Sequence, residues 1–97
     1  LQREALVVGD SDSVIRSAAW CTGGGQSYID EAASYGAELF VTGEVSEQTI
    51  HIARERGLAF VAAGHHATER FGARSLGQWI AERFDIDHHF VDIDNPA

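Results

Sequence analysis

Three stretches of the chain repeat one pattern of apolar and polar positions. "VIRSAAWCTGGGQ" (14–26), "AELFVTGEVSE" (37–47) and "LAFVAAGHHAT" (58–68) each run from β-branched or aromatic residues into a small residue, then glycine, then polar residues. The runs end at Gly23, Gly43 and Gly64, and each reads as a strand leaving its sheet through a glycine turn. Helical patterns follow them. Residues 26–35 put Ile29, Ala32 and Ala33 on one face, with Gly36 where a left-handed C-terminal cap would sit. Residues 46–56 carry Ser46 as N-cap, Glu47 in the first turn, Ile50 and Ala53 on the inner face, and Arg54 and Arg56 near the end before Gly57. A last helix is predicted from about Ala67 to Arg83, because Leu76, Trp79, Ile80 and Phe84 follow the spacing of an amphipathic face. Gly72 and Gly77 weaken it by roughly 1 kcal/mol each relative to alanine.

Both ends of the chain read as strands. "HHFVDID" (88–94) reads as a final strand, and "EALVV" (4–8) and "VIRSAAW" (14–20) flank the turn-rich "GDSDS", which predicts an N-terminal antiparallel hairpin. Strands alternating with helices give an α/β fold with a mainly parallel sheet and flanking helices. The 97 residues are expected to form a single α/β domain, 1–97. The start at Leu1, without a methionine, fits a piece of a longer protein.

Composition narrows the function classes. An apolar fraction of 44% argues against disorder. Fifteen acidic against seven basic residues give a net charge of -8, which repels phosphate backbones, so nucleic acid is not an expected partner. The acids serve chiefly to keep the domain soluble and leave room for a cation site. No apolar run approaches the roughly 18 residues a membrane span needs, and the first residues lack a signal peptide's layout. A cytoplasmic chain with no membrane partner is expected. Cys21 stands alone, so any metal must be held by histidines and carboxylates.

In open parallel sheets, ligands bind at the carboxyl ends of the strands. There "CTGGG", "TGE" and "GHHATE" should meet, so Glu44, His65, His66 and Glu69 are expected to converge although they lie apart in sequence. Imidazole and carboxylate are the ligands that zinc, iron and manganese sites use when thiolate is absent. His65 and Glu69, at i and i+4, share a face if the helix starts early and reach each other across a first turn if it starts late. Two ligands fall short of the three protein ligands usual for catalytic zinc, and the same residues also read as a hydrogen-bonded turn. "TGGG" reads either as an anion-cradling turn or as a simple tight turn; it has neither the lysine of a Walker loop nor the G-x-G-x-x-G spacing. Glu44 alone suits a helix N-terminus. His51 is expected on a surface or in packing, and His88 and His89 are read as structural.

The long run "RSAAWCTGGGQSYIDEAASYGAELFVTGEVSEQTIHIARERGLAFVAAGHHATERFGARSLGQWIAERF" and the closing "FVDIDNPA" resemble the C-terminal part of the Nif-three-like family. These are dinuclear metal-centre proteins often labelled GTP cyclohydrolase type two homologues. The specific motifs are "CTGGGQ", "TGEVSEQT" and "GHHATER". The resemblance implies that this chain is the C-terminal half of a two-part protein. It implies a homohexameric ring when full length and two divalent metal ions, zinc, iron or manganese, in each subunit. The late His-x-x-x-Glu motif of the family falls on His65 and Glu69, which makes them metal ligands and Glu69 a bridge between the two metals. Other family ligands lie in a preceding half without counterpart here, so the centre is expected to be incomplete or empty in this chain.

The implied activity is metal-dependent hydrolysis of the GTP cyclohydrolase type, opening a ring in a nucleotide or other small-molecule substrate. In that setting His66 is expected as a catalytic proton shuttle or supporting donor, and Glu44 as the partner that fixes a ligand imidazole's tautomer. The "TGGG" turn would hold an anionic substrate group. The alternative is a non-enzymatic metal-binding scaffold or regulatory ring protein.

Overall fold

The computed structural model describes residues 1–97. Its strands are β1 (Leu6–Val8), β2 (Ala18–Cys21), β3 (Leu39–Thr42) and β4 (Ala59–Ala62), and its helices are α1 (Ile29–Ser34), α2 (Glu47–Arg56) and α3 (His65–Phe84). The strands form one mixed sheet in the order β1-β4-β3-β2. β2 pairs with β3 and β3 with β4 in parallel, each pair joined through a helix, so the expected α/β fold with a mainly parallel sheet is present.

The core lies under α1 and α2. β3 and β4 bury alternate residues, Phe40 and Thr42 on one and Phe60 and Ala62 on the other, as period-two strands do. The Phe40 and Phe60 rings sit 6.1 Å apart at 43° and join Ile29, Ala32, Ala53 and Leu58 in one cluster. Burial of each large apolar side chain contributes about 1.5–3 kcal/mol. α1 is shorter than expected. With no side-chain cap at Gly25, residues 26–28 form a 3₁₀ turn before Ile29 enters the core. α2 matches its punctuation closely: the Thr49 N–H donates to Ser46 Oγ and the Ser46 N–H to Thr49 Oγ1, both at 3.3 Å, while Gly57 closes the helix at φ 64°. Its fully buried residues are Thr49 and Ala53, with Ile50 only half-buried.

Three expectations are corrected. The N-terminal strands do not form a hairpin, because β1 pairs antiparallel with β4, from Leu6 opposite Ala62 to Val8 opposite Phe60. The Asp10 carboxylate accepts from the Asp12 N–H and the Asp10 carbonyl from the Ser13 N–H. This local turn redirects the chain across the sheet instead of closing a two-strand ladder. β2 takes its place on the far edge.

Residues 85–97 contain no strand. Asp85, at φ 52° and ψ 51°, ends α3, and the tail's groups are satisfied by α3 and the N-terminal segment. Arg70 binds Asp92 at 2.9 Å, the His66 N–H donates to the Ala97 carbonyl at 3.1 Å, and Arg3 donates to the Pro96 carbonyl at 3.1 Å. A side chain at position 77 would collide with the His88 ring, so Gly77 lets the tail lie directly on the helix.

The apolar face of α3 is real but faces no core. Leu76, Trp79 and Phe84 are all more than half exposed, and Ala67 is the only buried residue of the helix. At about 30 Å for 20 residues, α3 runs past the sheet and stretches the molecule to 49 × 27 × 24 Å. No helix is long and apolar enough to cross a membrane.

Candidate functional site

The carboxyl ends of β2, β3 and β4 are stitched together by their own backbones. Gly43 N–H donates to the Gly23 carbonyl at 3.0 Å, and Gly64 N–H to the Gly43 carbonyl at 2.9 Å. Glycine is required for this approach. A Cβ at Gly43 would lie under 3 Å from the Gly23 oxygen, the Gly64 oxygen and the His65 Cα. Two threonines lock the junction further. Thr42 Oγ1 accepts from Gly25 N–H at 3.1 Å and donates to the Gly23 carbonyl at 3.2 Å. Thr68 Oγ1 accepts from Gly23 N–H at 2.9 Å and lies 2.9 Å and 3.0 Å from the Gly64 and His65 carbonyls.

On this junction stand three of the four expected side chains. α3 begins at His65, so His65 and Glu69 share one helical face. His65 Nε2 lies 3.1 Å from Glu69 Oε2, and His65 Nδ1 lies 2.5 Å from Glu44 Oε1. A carboxylate only accepts, so the short contact places the Nδ1 proton on the ring and directs it at Glu44. The Nε2 lone pair of the neutral ring then faces the Glu69 oxygen. Two electron-rich atoms in that position call for a cation, either a proton or a metal ion.

The electrostatics follow from this arrangement. The hydrogen bond to Glu44, with help from the charges of Glu69 and Glu44, raises the His65 pKa above its ordinary 6.5 against an opposing desolvation effect. The hydrogen bond from His65 lowers the Glu44 pKa below its ordinary 4.5, with partial burial opposing it. Both side chains are about two-fifths exposed on this chain, 39% and 45%.

These donors do not surround one point. Glu44 and Glu69 occupy opposite nitrogens of the same imidazole, and the chain assembles no group of three or more His, Cys, Asp or Glu side chains able to hold a metal ion. A metal at Nε2 would take His65 and Glu69 from this chain, with Glu44 behind the ring. His66 faces elsewhere. Its Nε2 lies 3.7 Å from Asp92 Oδ1, and it lines a cavity of about 400 Å³ with Arg3, Arg70 and Asp94.

The "TGGG" turn serves a different purpose from the anion cradle entertained above. The Gly23 and Gly25 N–H groups are already bonded to threonine hydroxyls, and a Cβ at Gly23 would overlap the Glu69 carboxylate. Carboxylates beside the turn repel an anion and favour a cation. His51 pairs only with exposed Glu47, at 3.8 Å, on the surface of α2. The sequence reading missed Thr42, Thr68 and Gln26, whose Nε2 donates to Glu44 Oε2 at 3.2 Å. Their signal was position, since each adjoins a glycine turn or follows the histidines by one helical turn.

Comparison with known proteins agrees with the fold. The family model described as Duf34/NIF3 (NGG1p interacting factor 3) matches residues 1–96. "GTP cyclohydrolase 1 type 2 homolog" proteins of Escherichia coli (strain K12) and Yersinia pestis are 60% and 58% identical, each over 100% of this chain. The chain spans 40% of the length of each. A solved structure described as protein ybgI, of unknown function, superposes with a TM-score of 0.90 at 60% identity, over 98% of this chain and 39% of that one.

Proposed function

The chain belongs to the Duf34/NIF3 family, and we propose that it supplies one wall of a divalent-metal centre in a metal-dependent hydrolase of the GTP cyclohydrolase type. His65 Nε2 and the Glu69 carboxylate are the ligands it contributes. Glu44 holds the His65 tautomer, and the remaining ligands come from the larger part of the protein that the relatives carry beyond this chain. The supporting observation is the imidazole held between two carboxylates, with Nδ1 committed to Glu44 and Nε2 presented beside Glu69. This is the arrangement in which outer partners orient metal-bound histidines. A structural turn would not need an acid at both nitrogens.

Divalent ions such as zinc, iron or manganese, bound there, would supply Lewis-acid activation of water for ring opening of a purine nucleotide. The chain's own part is to fix the ligand atoms and to present carboxylate charge to the cation. His66, directed at Asp92 and the separate cavity beside Arg3 and Arg70, has no part in this reading. The full-length protein would work as a homohexamer.

The test uses the full-length protein. Elemental analysis should give two metal ions per subunit, and incubation with GTP should yield a ring-opened product, both lost with His65→Ala. Metal retention without turnover on GTP or other nucleotides would overturn the enzymatic reading in favour of a metal-binding scaffold. Metal content unaffected by His65→Ala would overturn the site.

A further inference from the structure

We propose that Gln26 is a positioning residue for the His65 ligand nitrogen, acting through Glu44. This rests on the metal reading of His65 given above. The Glu44 carboxylate has two oxygens, and each has its own donor: Oε1 takes the His65 Nδ1–H at 2.5 Å, and Oε2 takes the Gln26 amide at 3.2 Å. Held at one oxygen, a carboxylate can rotate about its terminal bond and carry the imidazole with it. Held at both, it has one plane.

The backbone that carries Gln26 is itself pinned to the strand that delivers Glu44. Gly25, immediately before it, donates to Thr42 Oγ1 at the end of β3, and a Cβ at Gly25 would collide with Cys21 and Thr42. Gln26 and Glu44 thus keep their separation through the bond from the Gly25 N–H to the Thr42 hydroxyl, independent of any ligand.

The orientation of the amide supports the same role. Gln26 Oε1 is buried and has no hydrogen-bond partner, an arrangement that costs stability. Turning the amide over would aim that oxygen at the Glu44 carboxylate, acceptor against acceptor. The amide therefore tolerates an unsatisfied oxygen in order to keep its N–H₂ on Glu44. A glutamine serving only to solvate the turn would not be held this way.

The experiment uses full-length protein with Gln26→Met, which keeps side-chain length and loses the donor, and Gln26→Glu, which keeps size and repels Glu44. In metal-free protein, in buffer alkaline enough that the His65 ring is neutral, nitrogen NMR of His65 should report the Nδ1–H tautomer in the wild type and a smaller fraction of it in either variant. Zinc affinity should fall about 3- to 10-fold, less than the roughly 10- to 100-fold typical of direct partners of metal-bound histidines. In a Glu44→Gln background, neither Gln26 substitution should change affinity further.

An unchanged tautomer in the variants, or the same loss of affinity with and without Glu44, would overturn the proposal. If the methionine variant does not fold, the glutamate variant carries the same comparison. Failure of the metal reading is separately visible, as a wild-type His65 signal that zinc does not move, while the metal-free tautomer comparison still decides the role of Gln26.

Discussion

Glu44 Oε1 and His65 Nδ1 lie 2.5 Å apart although 21 residues separate them in sequence. One stands just beyond β3 and the other opens α3, and the backbone bonds linking Gly23, Gly43 and Gly64 bring their chains together. The pair is therefore a product of sheet order. It is also the contact that fixes which nitrogen of the neutral His65 ring carries the proton.

Glu44→Gln keeps an acceptor oxygen near the imidazole but removes its charge. Zinc affinity of the full-length protein, measured by calorimetry, should fall roughly 10- to 100-fold. Unchanged affinity would remove Glu44 from the site.

The metal-free protein should show a stability window set by this pair. The raised pKa of His65 means that its contribution is fully present below the ordinary 6.5 and is lost as pH rises through the higher folded value. The lowered pKa of Glu44 means that its contribution is present above the ordinary 4.5 and is lost as pH falls through the lower folded value. The pair stabilises most between those limits. Thermal unfolding across pH should show a wild-type advantage over His65→Ala that is largest in mildly acidic buffer and shrinks on both sides; a flat difference would exclude the linkage.

Gly43→Ala should be costly although alanine is the smallest chiral residue. The added carbon meets two carbonyl oxygens and the His65 Cα, all backbone atoms or fixed by backbone, so relief requires the strand ends to separate. A loss of about 1–3 kcal/mol or more is expected in denaturant unfolding, together with weaker metal binding. A neutral substitution would show that the junction is loose.

Thr68→Val preserves shape and removes the oxygen that accepts the Gly23 N–H. The stranded donor should cost about 1–3 kcal/mol, and Thr68→Ser should recover most of it. Equal stability of the valine and serine variants would show that water replaces the hydroxyl.

Local signals were legible where local physics decides. The Ser46 cap and Gly57 terminus bound α2 at the expected positions, and the glycine-ended apolar runs became β3 and β4. Edge pairing was not legible. The apolar run Leu6–Val8 fits beside β2 or β4 equally well, and only the course of residues 9–17 decides between them. The same applies to "HHFVDID", whose period-two pattern asks for one-sided contact and finds it on α3.

The candidate site was half legible. Strand-end reasoning brought Glu44, His65 and Glu69 together. It did not foresee that His66 would turn to Asp92, a contact that depends on the path of the tail. Gln26 was invisible because its role passes through another side chain.

The glycines at the ends of β2, β3 and β4 have one further consequence. Gly23, Gly43 and Gly64 contribute no functional group, yet Gly43 has backbone where its Cβ would go, and Gly23 and Gly64 take φ 65° and 99°, which residues with side chains rarely adopt. In a complete substitution scan these three positions should tolerate less than the histidine and glutamates they support. The strictest sequence requirement around this chemistry is for side chains that do not exist.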